Sequence, residues 1–107
     1  MNERLMTKYI AERRLLYSTK GSDERREFVI RLGVPYQVKE GMVNFSIEGG
    51  VSGCHIELDG IDEEYPEVYG ADTLQAINIA SNVEPFLKRL QKKYDLFWLS
   101  GEPYFDE

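Results

Sequence analysis

Hydrophobic and polar residues alternate along much of the first half of the chain, with the period of two that is typical of β-strands. Alternate positions from Tyr9 to Tyr17 are mostly apolar, and turn-forming clusters separate this run from the next ones. The pattern predicts four strands joined as an antiparallel meander. The inward residues predicted for the second, third and fourth strands are Phe28, Ile30, Leu32 and Val34; Val43, Phe45 and Ile47; and Cys54, Ile56 and Leu58.

From Asp72 onward the apolar period changes to that of an α-helix. Asp72 is a good N-cap, and Gln75 stands three residues later, where a capping box has Glu or Gln. An apolar stripe then recurs at steps of four and three residues, the spacing of one helix face. Pro85 lies inside the stripe and removes a helical hydrogen bond, so a kink or a two-segment helix is expected. The stripe consists of Ala76, Ala80, Val83, Leu87, Leu90 and Tyr94.

The stretch DLFWLS (Asp95–Ser100) predicts one more short, buried strand after the helix. The predicted fold class is therefore α+β: an antiparallel four- to five-stranded sheet with one long, Pro-kinked helix packed on one face, in the order ββββαβ. Chains of this length support a single core, so residues 1–107 are predicted to form one domain. Residues 1–6 and 101–107 are expected to be loosely held tails.

The expected compartment is the cytoplasm. Cys54 is the only cysteine and cannot form an internal disulfide, which argues against the class of secreted, disulfide-stapled domains. The residues that follow Met1 are too charged for a signal peptide. The longest apolar run, Leu96–Leu99, is far too short to span a bilayer, so no membrane partner is expected.

Charge is distributed unevenly along the chain. The formal net charge is −6, and residues 41–80 contain eight Asp or Glu and no Lys or Arg. Such a stretch sets up a negative field that steers a positively charged partner. It argues against a nucleic-acid ligand for this region, because phosphate binding requires the opposite sign.

Residue types of common catalytic and metal sites are present without the required spacing. Cys54 and His55 are the only Cys and His, and neighbours on a strand point to opposite faces, so neither a catalytic dyad nor a zinc site is expected. The loop Glu48–Gly53 lacks the Lys and the following helix of a phosphate-binding loop. The run Glu57–Glu67 lacks the spacing of an EF-hand. The sequence therefore predicts no catalytic residue, no metal and no cofactor.

The acidic run leaves two interpretations open: a solvated turn, or a surface that recognises a basic protein partner. Tyr65 and Tyr69 are interspersed among its carboxylates, and tyrosine with complementary charge is common at interface anchors. On the second interpretation, the partner-binding residues are Asp59, Asp62, Glu63, Glu64, Tyr65, Glu67 and Tyr69.

Four short stretches carry a family resemblance: IAERRL (Ile10–Leu15), VIRLGVP (Val29–Pro35), YGADTLQAINIA (Tyr69–Ala80) and LFWLSG (Leu96–Gly101). Together they resemble a family of small bacterial domains of unknown function, and they are spread over most of the chain. The chain departs from the family pattern at Ile77, where Leu is common, and in the acidic insert before Tyr69. The resemblance implies the ββββαβ order and no catalytic residue, since none is known for the family.

Three kinds of function are consistent with these features. The first is a small acidic protein-binding domain, specifically an immunity protein that neutralises a basic bacterial toxin such as a nuclease. The second is an accessory or self-associating domain, a homo-oligomer whose exposed sheet edges pair between subunits. The third is a small-molecule binder or enzyme with a pocket between helix and sheet at Tyr69, Asp72 and Gln75.

Overall fold

The structure is a computed structural model that describes residues 8–43 and 50–105. The described residues form two antiparallel sheets and two consecutive helices, so the α+β class is confirmed. In chain order the elements are β1 (Tyr9–Thr19), β2 (Arg26–Gly33), β3 (Tyr36–Gln37), β4 (Ser52–Cys54), β5 (Ile56–Asp59), β6 (Val68–Gly70), α1 (Thr73–Ser81), α2 (Glu84–Leu90) and β7 (Tyr94–Phe97).

The larger sheet has four strands in the order β5-β2-β1-β7. β1 and β2 form a long hairpin in which Leu15 pairs with Phe28. Leu15 of β1 and Phe28, Ile30 and Leu32 of β2 are buried in the hydrophobic core, as the alternating pattern predicts, and Arg31 lies on the opposite face. Tyr9 and Ala11, at the start of β1, are exposed, unlike the predicted inward positions. Val34 differs from the prediction: β2 ends at Gly33, before Pro35, and Val34 lies outside the strand with half of its surface exposed.

The smaller sheet has three short strands in the order β3-β4-β6 and is an addition to the predicted single sheet. The stretch Cys54–Leu58, predicted as one strand, is divided at His55, so that β4 belongs to the smaller sheet and β5 to the larger one. The carbonyl of His55 accepts a 2.8 Å hydrogen bond from the N–H of Gly33, which ties the two sheets together at this point. Of the predicted third strand, Phe45 and Ile47 lie outside the described residues.

The helical region is divided into two segments, as the position of Pro85 predicts. α1 ends at Ser81 and α2 begins at Glu84, with Pro85 in its first turn, where the missing N–H costs no helical hydrogen bond. The predicted stripe is buried from Ala76 to Leu90 and packs on the sheets. Its last member, Tyr94, is partly buried and already belongs to β7. β7 ends at Phe97, so Trp98 and Leu99 of the predicted last strand lie outside it and are exposed, in contrast to the prediction.

Residues 101–105 differ from the loosely held tail that the sequence predicts. The N–H of Tyr104 donates to the carbonyl of Leu96 at 2.9 Å, and Pro103 forms a β-bridge with Phe97. Tyr104 and Phe105 are partly buried against the core. The segment is held because its aromatic side chains cover apolar surface that β7 would otherwise expose.

None of the helices in the described part of the chain is long and apolar enough to cross a membrane.

Candidate functional site

The acidic segment, residues 59–69, leads from the end of β5 in the larger sheet to β6 in the smaller one. Gly60 starts it with a positive φ of 97°, a conformation that glycine adopts without strain. A Cβ at this position would lie 2.7 Å from the carbonyl oxygen of Glu27, so the turn also requires the absence of a side chain. The hydroxyl of Tyr17 donates to the carbonyl of Gly60 at 3.0 Å and holds the turn against the hairpin.

Asp59, the first of the predicted partner-binding residues, is paired within the protein. Its carboxylate accepts a hydrogen bond from Arg31 at 3.1 Å, and Arg31 also donates to Glu57 at 3.1 Å. The hydrogen bond with Asp59 is the largest cause of a raised pKa for Arg31, and the bond with Glu57 is the next. Arg31 therefore neutralises part of the charge at the start of the acidic segment.

Glu63 is also bound within the protein, with only 17% of its side chain exposed. Its carboxylate accepts hydrogen bonds from the ammonium of Lys93 at 3.0 Å and from the hydroxyl of Tyr94 at 2.8 Å. The bond from Lys93 is the main cause of a lowered pKa for Glu63. Burial and the bond to Glu63 together raise the pKa of Tyr94 to about 12. Glu63 thus fastens the acidic segment to the region between α2 and β7.

Tyr65 packs inward. Its ring lies 4.3 Å from the ring of Phe86, centroid to centroid, and the side chain contacts the hydrophobic core. Burial raises the pKa of its hydroxyl. Tyr65 is therefore largely an anchor of the acidic segment on α2.

Glu67 joins three parts of the chain. Its carboxylate accepts a hydrogen bond from the hydroxyl of Tyr36 in β3 and lies 2.9 Å from Nδ1 of His55. Burial is the main cause of a raised pKa for Tyr36, followed by the bond to Glu67. A Cβ added at Gly53 would lie only 2.5 Å from the ring of Tyr36, so this position requires a glycine. Gly53 in β4 pairs with Tyr69 in β6.

Asp62 and Glu64 are exposed, as Asp59 is, but unlike Asp59 neither of them has an ion-pair partner among the described residues. The seven predicted partner-binding residues therefore do not act as one surface, because most of them bond to side chains that are distant in sequence. Asp59, Glu63, Tyr65 and Glu67 hold the segment in place, and Asp62 and Glu64 face solvent.

A cleft of about 310 Å³ lies between β5 and the acidic segment. Three carboxylate side chains line it, those of Glu57, Glu63 and Glu64, and no Lys or Arg is among its lining residues. Its volume is at the lower end of the range for small-ligand sites, which suits a single long side chain. The remaining lining residues are His55, Ile56, Leu58 and Tyr65.

His55 and Glu57 are members of the cleft that the sequence-based prediction missed. Both belong to the predicted fourth strand, which precedes the acidic segment. The alternation in β5 indicates that Glu57 faces away from the core, next to Ile56 and Leu58. No signal in the sequence shows that the acidic segment turns back along β5.

Cys54 and His55 point to different sides, as predicted. Cys54 is completely buried, its Sγ lies 3.4 Å from the carbonyl oxygen of Gly33, and burial raises the pKa of the thiol. His55 is exposed and contacts Glu67. The thiol therefore has no base beside it and stays protonated. Within residues 8–43 and 50–105 no group of three or more His, Cys, Asp or Glu side chains is arranged to hold a metal ion.

Asp72 and Gln75 cap α1, as the sequence predicts. The carboxylate of Asp72 accepts from the N–H of Gln75 at 2.8 Å, and Oε1 of Gln75 accepts from the N–H of Ala71 at 2.6 Å. Both side chains also line an open groove of about 610 Å³ along the outer side of α1, with Leu74, Ile77, Asn78 and Ser81. Tyr69 is not among these residues, so the three members of the hypothetical small-molecule pocket are not brought together there.

Comparison of the chain with known protein families, characterised proteins and solved structures finds no match. The resemblance to a family of small bacterial domains therefore stays a prediction.

Proposed function

We propose that the protein is a small acidic protein-binding domain whose cleft accepts a lysine or arginine side chain of a basic partner. The acidic cleft between β5 and residues 63–65 is the observation that carries this proposal. Three glutamates line one concave site with no Lys or Arg among the lining residues. Glu57 and Glu63 are already bonded to Arg31 and Lys93, so Glu64 is the glutamate of the cleft that has no ion-pair partner among the described residues and can attract an entering cation most strongly.

The contacts of the acidic segment support this function over a purely solvated turn. Glu63, Tyr65 and Glu67 hold the segment against the rest of the molecule through Tyr94, Phe86 and His55. A cleft whose walls are already held in place loses less conformational entropy on binding than a mobile acidic loop does. Asp62 and Glu64 then contribute charge at its rim, which accelerates the encounter with a basic partner.

Within this proposal the partner is a basic toxin domain such as a nuclease, and the protein acts in the cytoplasm as its immunity protein. Inhibition of this kind requires no catalytic group, since it suffices to cover the basic surface with which a nuclease binds phosphate. The product of the gene directly upstream is the first partner to test. Coexpression should relieve its toxicity, and the variant Glu64→Gln should relieve it less.

The cleft can be tested before any partner is known, with a labelled arginine-rich peptide as the probe and fluorescence anisotropy as the measurement. Glu64→Gln keeps the shape of the side chain and removes its charge. We expect the dissociation constant of the peptide to rise about twofold to fivefold, the effect of one exposed charge. The matched control is Glu40→Gln, which removes an exposed carboxylate in the turn after β3 and should leave the affinity unchanged.

Equal affinities of Glu64→Gln and Glu40→Gln for the arginine-rich peptide would contradict the proposal, because the peptide would then respond only to net charge. A glutamate-rich peptide serves as the probe control and should show no binding. Binding of both peptides would contradict the charge argument as well.

A further inference from the structure

The ring of His55 connects the acidic cleft with a carboxylate that lies outside it. Nδ1 of the ring lies 2.9 Å from a carboxylate oxygen of Glu67, and Glu67 is not among the residues that line the cleft. His55 itself lines the cleft, and 59% of its side chain is exposed. The imidazole is therefore the part of the cleft wall that Glu67 holds in place.

Glu67 also determines which ring nitrogen carries the proton. A carboxylate accepts hydrogen bonds, so Nδ1, the nitrogen beside it, is the one that donates when the ring is neutral. The other oxygen of Glu67 accepts a bond from the hydroxyl of Tyr36, which fixes the carboxylate from its far side. Nε2 of the neutral ring is then unprotonated, and a proton that the ring takes up goes to Nε2.

The charged side chains that line the cleft together with His55 are all acidic: Glu57, Glu63 and Glu64. Glu57 is bonded to Arg31 and Glu63 to Lys93, whereas Glu64 has no ion-pair partner among the described residues. Glu64 is thus the carboxylate that attracts a cation into the cleft. A positive charge on the His55 ring would oppose this attraction.

The other titratable groups on the elements around His55 keep their charge in the range in which a histidine changes its own. An imidazole ordinarily gains its proton between pH 8 and pH 5. Tyrosine hydroxyls and thiols ordinarily ionise above this range, and carboxyl groups below it. These groups are the carboxyls already named and Tyr9 of β1, Tyr36 of β3, Cys54 of β4, Tyr69 of β6 and Tyr65 of the acidic segment. Among them, His55 is the group that changes charge near neutral pH.

Protonation of His55 and binding of a basic side chain oppose each other. Both place a positive charge in one concave site, so each makes the other less favourable. The effect is reciprocal, because a ligand that the protonated protein binds more weakly must in turn disfavour protonation.

We propose that His55 makes the acidic cleft sensitive to pH: the neutral ring admits a lysine or arginine side chain, and the protonated ring weakens its binding. The inference rests on the proposed function and names the regulation of the same site. The cleft holds a basic partner near neutral pH and releases it more readily in acid. Glu67 and Tyr36 are positioning residues, because they fix the ring without lining the cleft.

The test measures the dissociation constant of the labelled arginine-rich peptide at about pH 8 and at about pH 6, the range in which histidine changes charge. Arginine keeps its charge throughout this range. For the unaltered protein we expect binding about twofold to threefold weaker at the lower pH, the effect of one exposed charge. His55→Gln is neutral at both pH values and can still donate to Glu67, so its dissociation constant should be the same at both.

Two further variants separate the charge of residue 55 from the net charge of the protein. His55→Lys is charged at both pH values and should bind the peptide at pH 8 no more tightly than the unaltered protein does at pH 6. Glu40→Gln is the matched control: it raises the net charge by one, as protonation of His55 does, but at an exposed position outside the cleft. It should keep the pH dependence of the unaltered protein. Circular dichroism checks that each variant is folded.

Equal binding of the peptide by the unaltered protein at both pH values would overturn this inference. An undiminished pH dependence in His55→Gln would overturn it as well, and so would tight binding by His55→Lys at pH 8. These three results leave the proposed function standing, because the comparison of Glu64→Gln with Glu40→Gln at pH 8 tests that function separately. Absence of peptide binding at pH 8 would overturn the proposed function and this inference together.

Discussion

The acidic cleft and the outward face of the β1–β2 hairpin use charge in opposite ways. Beside β5, carboxylates line a concave cleft, and Glu64 among them has no ion-pair partner within the described residues. On the hairpin, acidic and basic side chains pair with one another, as Glu12 does with Arg14 and Arg31. The cleft thus suits a partner of opposite charge, whereas the hairpin neutralises most of its own charge. The clustering of acidic residues in the sequence does not show which of them are free.

The cleft forms only if the turn at Gly60 directs the acidic segment back along β5. Gly60→Ala should destabilise the protein by about 3 kcal/mol, because alanine is strained at positive φ and its Cβ would overlap the carbonyl of Glu27. Gly21→Ala is the matched control: its φ of 86° is similar, but nothing lies within 4 Å of the added Cβ, so we expect about 1 kcal/mol. Unfolding in urea measures both. Equal losses of unfolding free energy in the two variants would show that the close approach to the carbonyl of Glu27 does not affect stability.

Structural and exposed carboxylates of the acidic segment can be distinguished by neutralising them one at a time. Glu63→Gln should cost about 1–2 kcal/mol of unfolding free energy, because it weakens the hydrogen bonds from Lys93 and Tyr94. Glu64→Gln should change stability by no more than about 0.5 kcal/mol, the usual range for an exposed substitution. The reverse order of the two effects would contradict the assignment of Glu63 as the structural member.

The effect of Glu63→Gln on stability should also depend on pH. Because the pKa of Glu63 is lowered in the folded protein, its contribution to stability is present above the unfolded pKa, near 4.5, and is lost as the pH falls through the folded value. The stability difference between the unaltered protein and Glu63→Gln should therefore shrink as the medium is acidified below pH 4.5. Urea midpoints measured at a series of pH values give this difference directly. A difference that grows on acidification would mean that Glu63 is not bound as described.

Salt tests the role of charge in the cleft with the smallest change to the protein, since it requires no substitution. Raising the salt concentration from 0.1 M to 1 M shortens the screening length from about 10 Å to about 3 Å. We expect the arginine-rich peptide to bind the cleft about tenfold or more weakly at high salt, because attraction between opposite charges dominates this contact. A dissociation constant that salt leaves unchanged would contradict the role of charge in the cleft.

The sequence predicts those features that depend on neighbouring residues. Asp72 and Gln75 lie within one turn of the helix that they cap. Pro85 lies where the two helices are divided, because proline lacks the backbone N–H that a continuous helix would need there. The division at His55 depends on pairing with Gly33, which is 22 positions away in the chain, and the alternating pattern continues through it unchanged. Cys54, Ile56 and Leu58 are therefore correctly predicted as buried or partly buried, but not as members of two sheets.

The candidate site was predictable only in its location along the chain. Glu63 and Glu64 are adjacent and chemically identical, and they differ because Lys93 and Tyr94, which follow α2 in the chain, bond to Glu63. Tyr65 looks like an interface anchor by residue type, yet the ring of Phe86 covers one of its faces. The partners that decide these roles come from long-range packing, which no local pattern of charge or hydropathy contains.

The most direct test of the acidic cleft is to map where a basic side chain binds, by following the backbone amide resonances of the labelled protein during titration with the arginine-rich peptide. We predict that the largest shifts fall on residues 55–58 and 63–65, the two walls of the cleft. Shifts spread evenly over all exposed carboxylates, or concentrated outside these two stretches, would contradict the assignment of the cleft as the binding site.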